Sequence, residues 1–552
     1  MGINVLNNAA SQEVRLTTGS TNTIASGDLV VNTGSGNAFT ASTALTIAQN
    51  NNTTAGTSAI LPYALTNVQA SGYGDNTTGQ PGSNMVQLST GNIVFAYSGN
   101  GTTATTNVNI SFRNLLGGVP IAPISISDTS VVGIKIRKIG TTGFVVSWGG
   151  ASNTLKFAIY NNDGTVVLSA TTVASCGAAN YAGNYGVEVT ASNDIVFAYR
   201  KVTSNDLAFT RYNSSGTIQG TETVVSAASS ATFIKILANA AGGFWVYWYR
   251  SVATIGWYFA RYNSTGTLQG SVTTVNAANS GVWTCGGNPD NAITELSGGN
   301  VVVFYLDVSS YVNYAVYSSA GVVVKAGAQL PGASATLYAL QSLVPAICLN
   351  GTGFAIFSKG TDSAGQFYAF DSAGVNLLPR TATAYTTWGG DSTSNGTQKR
   401  QIQLFNLGGA GFVVFLANGI YTSCVAQSPV TLLAFSATGA TIGTPVALYA
   451  ASSASTLGTV YGVLTSDGSF APTIQDQATQ MGYGTYAIQR KSVIGVAQEA
   501  IAVNSTGRIA TIGTFTTNGN YSTGGNFDNR TATVPGTRGT AAGTSAVLFG
   551  MS

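Results

Sequence analysis

One motif recurs along this chain and restricts its fold more than any other feature. A Gly or Asn, one further residue and a short apolar burst appear as GNIVFAY from Gly91, GFVVSW from Gly143, NDIVFAY from Asn193, GFWVYW from Gly243, GNVVVFY from Gly299, GFAIF from Gly353 and GFVVF from Gly411. The intervals are 52, 50, 50, 56, 54 and 58 residues, a period that belongs to repeat architectures. A second mark follows each burst: an apolar stretch, then a short turn ending in Gly117, Gly164, Gly216, Gly266, Gly321, Gly374 and Gly439.

Each period divides into four runs rich in Val, Ile, Phe and Tyr, separated by clusters of Gly, Asn, Asp and Ser, as strands joined by turns do. The third period reads YGVEVTA, NDIVFAY, DLAFTRY and GTIQGTETVV, and the fourth reads FIKILAN, GFWVYW, IGWYFARY and GTLQGSVTTV. Units of four strands repeated in this way predict a β-propeller. The second run of each unit is apolar at nearly every position, which suits a blade packed on both faces.

The predicted fold is therefore all-β, a seven-bladed propeller over residues 71–465. Two pieces leave an eighth blade open. YGVLTSDGSF from Tyr461 imitates a first strand and turn, and AILPYALTNV from Ala59 imitates a fourth strand; they could close the seventh blade, build another, or belong elsewhere. Blade architecture also accounts for a composition with 68 Gly and only 7% charged residues, against roughly 25% in an ordinary domain.

Outside the repeats the texture changes, over residues 1–70 and 466–552. IASGDLVV early in the chain opens a strand after the Gly27-Asp28 turn, and SVIGVAQEAIAVNSTGRIATIGTF from Ser492 predicts two or three strands around the turn Asn504–Gly507. This pair resembles the small β-domains of tailed-bacteriophage virion proteins, found in capsid decoration proteins and tail-fibre modules. Gly27-Asp28, Ile494-Gly495-Val496-Ala497 and Gly513 carry the resemblance. It implies a small β-barrel or β-sandwich built from both termini with the propeller inserted, since domains accept insertions at exposed turns. It also implies a place on the virion surface, other virion proteins as partners and assembly as a homo-oligomer.

The composition limits the chemistry. With no His in 552 residues, neither a Ser-His-Asp arrangement nor an imidazole metal site can form. The four cysteines, Cys176, Cys285, Cys348 and Cys424, include no Cys-x-x-Cys pair, so the expectation is reduced thiols and no metal or other cofactor. A net charge of +3 with dispersed basic residues argues against a nucleic-acid grip. No run approaches the ~18 apolar residues of a membrane span. The turns NNDGT from Asn161 and FDSAG from Phe370 look like the Asp-boxes of propeller sialidases but lack the Trp, and a hairpin explains them; the expectation is a protein that is not an enzyme.

The connections are asymmetric. Turns after the first and third strands, such as TASND and YNSSG, are short. Those after the second and fourth strands are longer, including ASCGAANYAGN from Ala174, GVWTCGGNPDN from Gly281 and YTTWGGDSTSNGTQKR from Tyr385. This second face gathers the candidate ligand-binding residues Tyr181, Tyr185, Arg200, Arg250, Trp283, Asp290, Trp388 and Asp391, with Lys201 beside them. Aromatic platforms near isolated charges suit stacking on sugar rings and hydrogen bonding to hydroxyls. The leading expectation is a virion surface protein that binds host-surface glycan or protein; a decoration protein without receptor binding and a propeller glycosidase are the alternatives.

Overall fold

A computed structural model describes residues 85–98, 106–114, 119–176, 185–250 and 254–277 almost continuously, the strand segments and some tight turns from 293 to 489, and short strands within 6–13, 59–69 and 502–510. The chain divides into two compact units, one of Met1–Leu61 with Ala487–Ser552, the other of Pro62–Tyr486.

The larger unit is a ring of antiparallel sheets, seven of them four-stranded. Blade 1 is Met85–Gln87, Ile93–Ser98, Val108–Arg113 and Ile124–Ile126, and blade 2 is Val132–Ile139, Gly143–Gly150, Thr154–Asn161 and Val166–Ser175. Blade 3 is Tyr185–Val189, Ile195–Arg200, Leu207–Tyr212 and Thr223–Ser226; blade 4 is Ala231–Ala238, Phe244–Arg250, Gly256–Tyr262 and Thr273–Ala277. Blades 5, 6 and 7 begin at Ile293, Ala346 and Lys399 and repeat the pattern to Tyr449. Every apolar burst read from the sequence is a second strand.

The two unassigned pieces meet in an eighth blade. Leu457–Leu464 pairs with Ser469–Asp476, that strand with Gln480–Tyr483, and Gln480–Tyr483 with Thr66–Gln69 from the far side of the sequence. The propeller thus takes strands from beyond residues 71 and 465. The first strands of the eight blades lie side by side in order around the axis, and that of blade 8 returns to that of blade 1. Met85, Ile93 and Phe95 of blade 1 share a core with Ala471 of blade 8, so the ring is closed.

Local chemistry explains the repetition. The first aromatic of a burst faces, across the strand pair, the aromatic that precedes the Gly turn: Phe144 with Tyr160, Phe244 with Tyr262, Phe354 with Phe370 and Phe412 with Phe435. These rings stack with centroids 5.5, 5.3, 4.8 and 5.3 Å apart, each pair worth about 0.5–1.5 kcal/mol beyond its burial. The turn that follows is held by its own side chain, with Asn213 Oδ1 accepting the Ser215 and Thr217 amides at 3.0 and 2.8 Å. At its end Gly216 adopts φ +84° and packs so closely on blade 2 that a Cβ would lie 2.5 Å from Leu168 Cδ2. Gly164, Gly266, Gly321 and Gly374 repeat the positive φ, while Gly117 and Gly439 lie outside the described residues.

Alternation sends successive side chains of a second strand to opposite neighbours. In blade 3, Ile195, Phe197 and Tyr199 join the core shared with blade 2, whereas Val196 and Ala198 join the core shared with blade 4. In blade 4, Phe244, Val246 and Trp248 face blade 3, and Trp245, Tyr247 and Tyr249 face blade 5. Almost every side chain of these strands is inside, which is why the chain carries so little charge.

In the smaller unit, the described residues include two antiparallel hairpins, Leu6–Asn8 with Ser11–Glu13 and Ala502–Val503 with Ile509–Ala510. The second straddles the Asn504–Gly507 turn expected from the sequence. No closed barrel forms among the described residues of this unit, and Gly27-Asp28, Ile494–Ala497 and Gly513 lie outside them.

Candidate functional site

The two faces of the ring are built differently. On one, first-to-second and third-to-fourth turns lock together: Ser89 Oγ donates to the Thr141 carbonyl at 2.7 Å, and Asn162 Nδ2 donates to Ser89 Oγ at 2.9 Å and to the Thr141 carbonyl at 2.6 Å. The Asp-box-like turns belong here. Asp163 Oδ1 accepts from the Thr165 amide and hydroxyl at 2.9 and 2.6 Å, and Asp371 Oδ1 from the Ala373 and Val375 amides at 2.9 and 2.8 Å. These oxygens are occupied in closing hairpins.

On the other face, second-to-third connections meet the fourth-to-first connections that bridge blades. The Asn107 amide donates to the Asp128 carbonyl at 3.1 Å, Cys176 to Asn153 at 2.7 Å and Ser230 to Asn205 at 3.0 Å. Here the connections between Ser175 and Tyr185, Ala277 and Ile293, Gln329 and Ala346, and Ala382 and Lys399 leave and return. Tyr181, Trp283, Asp290, Trp388 and Asp391 fall in these spans, outside the described residues.

Tyr185, Arg200 and Arg250 are described. Tyr185 is not on a connection: it opens the first strand of blade 3, pairs with Tyr199 and is fully buried in the core shared with blade 2. Its hydroxyl donates to the Gly133 carbonyl, and its own carbonyl accepts from Lys135 Nζ at 2.7 Å, with that ammonium 4.6 Å from the ring centroid. A sugar cannot reach this ring, which joins two blades. Arg200 and Arg250 end the second strands of blades 3 and 4 at the long-connection face, both half-buried. Burial draws the Arg200 guanidinium pKa below its ordinary value.

Neighbouring charges are paired. Lys201 Nζ meets Glu222 Oε1 at 2.6 Å, and Glu222 Oε2 accepts from the Tyr199 hydroxyl at 2.7 Å. Asp128 takes the Trp148 indole N–H at 2.6 Å and Lys156 Nζ at 3.0 Å. Burial acts to raise the Asp128 carboxyl pKa, but the hydrogen bonds from Trp148, the Thr129 amide and Lys156, with the Lys156 charge, bring it below the ordinary carboxylate value. Burial pushes the Cys176 thiol up to about 12, so this cysteine is a packed thiol. Among the described residues no cluster of carboxylates and thiols could hold a metal ion. On the opposite face Arg211 pairs with Asp194 at 2.8 Å and Arg261 lies 5.9 Å from the Trp245 ring, structural roles for the repeated arginine.

Sequence reasoning did not single out Trp248 or Ser229. Trp248 lies two residues before Arg250, on the same side of its strand; that spacing was the available signal. Ser229 lies in the connection from blade 3 to blade 4 and is fully buried.

No protein-family model and no curated protein matches the sequence. Among solved structures, the chain is similar to the BP39L lectin from Burkholderia pseudomallei, at 14% identity over 68% of this chain and 100% of the lectin, with a TM-score of 0.43. It is also similar to the polysaccharide lyase Uly1, at 12% identity over 78% of this chain and 99% of that one, TM-score 0.37. Prolyl oligopeptidase B from Galerina marginata matches at 11% identity over 71% of this chain, TM-score 0.40, and the match spans 55% of that enzyme, about half its length.

Proposed function

We propose that the chain is a non-enzymatic binding protein whose propeller offers the face of the long connections to a glycan, and whose terminal unit joins it to a bacteriophage particle. The observation that carries the binding reading is the contrast between the faces. One consists of short turns joined by side-chain hydrogen bonds such as those of Ser89 and Asn162, whereas the other has connections as long as that from Ala382 to Lys399 and the half-buried Arg200 and Arg250. Connections on a rigid scaffold are where binding residues concentrate. The virion reading rests on the Gly27-Asp28 and Ile494–Ala497 motifs.

The test is the full chain applied to an array of bacterial envelope polysaccharides, alongside antibody labelling of intact particles. Saturable binding to a subset of glycans and labelling of the particle surface are expected. A flat response across the array overturns the glycan reading, and unlabelled particles overturn the virion reading. Release of reducing ends from a bound polysaccharide would replace the binding protein with a glycosidase.

A further inference from the structure

Arg200 and Arg250 both end second strands, but of six and seven residues, so their side chains leave their blades in opposite directions around the ring. Arg200 is the cross-strand partner of Leu207, and Arg250 of Ala231. Directly opposed residues stand on the same side of a sheet, and both Leu207 and Ala231 belong to the core between blades 3 and 4. The two guanidinium stems therefore rise from opposite walls of one inter-blade seam, at the face of the long connections.

Four of the ten buried polar side-chain atoms without a hydrogen-bond partner among the described residues lie at that seam. Arg200 Nε and Arg250 Nε are shielded from solvent and bonded to nothing among the described residues, and so are Ser229 Oγ and Trp248 Nε1. Trp248 stands in the seam core, stacked on Tyr258 at 5.8 Å. Ser229 lies in the bridging connection, fixed by the Ser230 amide donating to Asn205 and the Ala228 amide donating to Asp206 Oδ1 at 2.7 Å. Neither arginine has an ion-pair partner among the described residues. The Lys201 ammonium and its Glu222 partner belong to the other side of the sheet, and Asp206 is half-buried with its Oδ1 taken by the Ala228 amide.

An unsatisfied buried donor is costly, more so on a charged group. An oxyanion in the seam supplies acceptors to these donors. We propose that the seam between blades 3 and 4 is an oxyanion subsite that takes the carboxylate of an acidic sugar, gripped by Arg200 from one blade and Arg250 from the next. A carboxylate presents two oxygens in one plane, the match for guanidinium forks approaching from two sides. The assignment rests on the reading of this face as glycan-binding and names the class of sugar it selects.

Four polymers separate the outcomes when titrated against the full chain: polygalacturonate, dextran sulfate, neutral dextran and poly-L-glutamate. Polygalacturonate is expected to bind at least about tenfold tighter than dextran, with affinity falling as salt rises. Arg200→Gln and Arg250→Gln are each expected to weaken it by about tenfold to a hundredfold, while Lys138→Gln, an exposed charge at the other face, leaves it unchanged. Circular dichroism establishes that each variant is folded. Should a variant unfold, hydrogen exchange of the unaltered protein decides: polygalacturonate should protect residues 226–231 and 248–250 above the rest of blades 3 and 4.

Equal binding of dextran and polygalacturonate, unchanged affinity in both folded Arg variants, or no protection at the seam overturns the subsite. Preference for dextran sulfate overturns the carboxylate, and equal binding of poly-L-glutamate overturns the sugar. Binding elsewhere on the glycan array without these effects leaves the glycan reading standing and removes only this inference; silence across the array removes the reading itself.

Discussion

Gly216 and Gly220 offer a controlled test of how the blades fit together. Both have left-handed backbone, at φ +84° and +80°, so replacing either with Ala incurs similar strain, roughly 1–2 kcal/mol. Either change also recovers some chain entropy in the unfolded state, about 0.4–1 kcal/mol. The surroundings differ. A Cβ at Gly216 would lie 2.5 Å from Leu168 Cδ2 and 3.1 Å from its Cγ, whereas nothing stands within 4 Å at Gly220. Overpacking of this kind costs typically 1–3 kcal/mol. Gly220→Ala should therefore lose about 1 kcal/mol, from the strain less the entropy, and Gly216→Ala about 2–4 kcal/mol once the clash is added. Urea unfolding followed by tryptophan fluorescence reads this directly, because Trp148 and Trp245 lie buried in the blades on either side of blade 3. At equal slopes the midpoints of the two variants should differ by about 0.3–3 M for slopes of about 1–3 kcal/mol/M. Leu168→Ala placed on Gly216→Ala should recover part of the deficit, as coupled neighbours do. Equal midpoints for the two Gly variants, or no coupling to Leu168, would show that the repeated glycine answers only to backbone geometry and not to the approach of the preceding blade.

Asp128→Asn should destabilise the propeller by about 1.5–3 kcal/mol at pH 7, since it removes the charge from hydrogen bonds to Trp148 and Lys156. Because the folded carboxyl pKa is depressed, the advantage of the native Asp is complete above its ordinary unfolded value of about 3.9 and fades as pH falls through the lower folded value. The gap between the two urea midpoints should thus close in acid, and a gap independent of pH would contradict the pairing. Tyr185→Phe strips the Gly133 carbonyl of a buried donor and should cost about 1–3 kcal/mol while leaving glycan affinity unaltered; a loss of affinity in the folded variant would return Tyr185 to the ligand site. With its thiol pushed up to about 12, Cys176 should resist iodoacetamide at pH 8 in the native protein and react after unfolding, as peptide mass spectrometry would register. Rapid native labelling would refute its burial.

The seven blades that carry the double mark are legible because everything that defines them is local. A Gly-aromatic start, an apolar burst and an Asn- or Asp-capped turn each form within a few residues. The eighth blade is obscure for the opposite reason. Its second strand, SFAPTIQD from Ser469, lacks the Gly-Phe opening and contains Pro472, and its last strand, Thr66–Gln69, lies at the other end of the sequence. The candidate site divides in the same way. Arg200 and Arg250 stand out through their 50-residue spacing, but their convergence depends on which side of each pleat meets the neighbouring blade. Tyr185 opens the run YGVEVTA in the sequence as it opens the strand in the structure, but that its ring turns into the core shared with blade 2 is not legible from that run alone.

Closure through blade 8 also imposes a timetable on synthesis. Thr66–Gln69 leaves the ribosome before any complete blade, yet its partner Gln480–Tyr483 is among the last propeller segments made. At about 5–20 residues per second, the early strand waits roughly 20–80 s with its backbone groups unmatched. During that interval blades 1 to 7 can form one after another as an open arc with two raw edges, the state in which strands join foreign partners. A nascent chain halted before residue 480 should remain in that open state, and the protein becomes a ring only when its end finds its beginning.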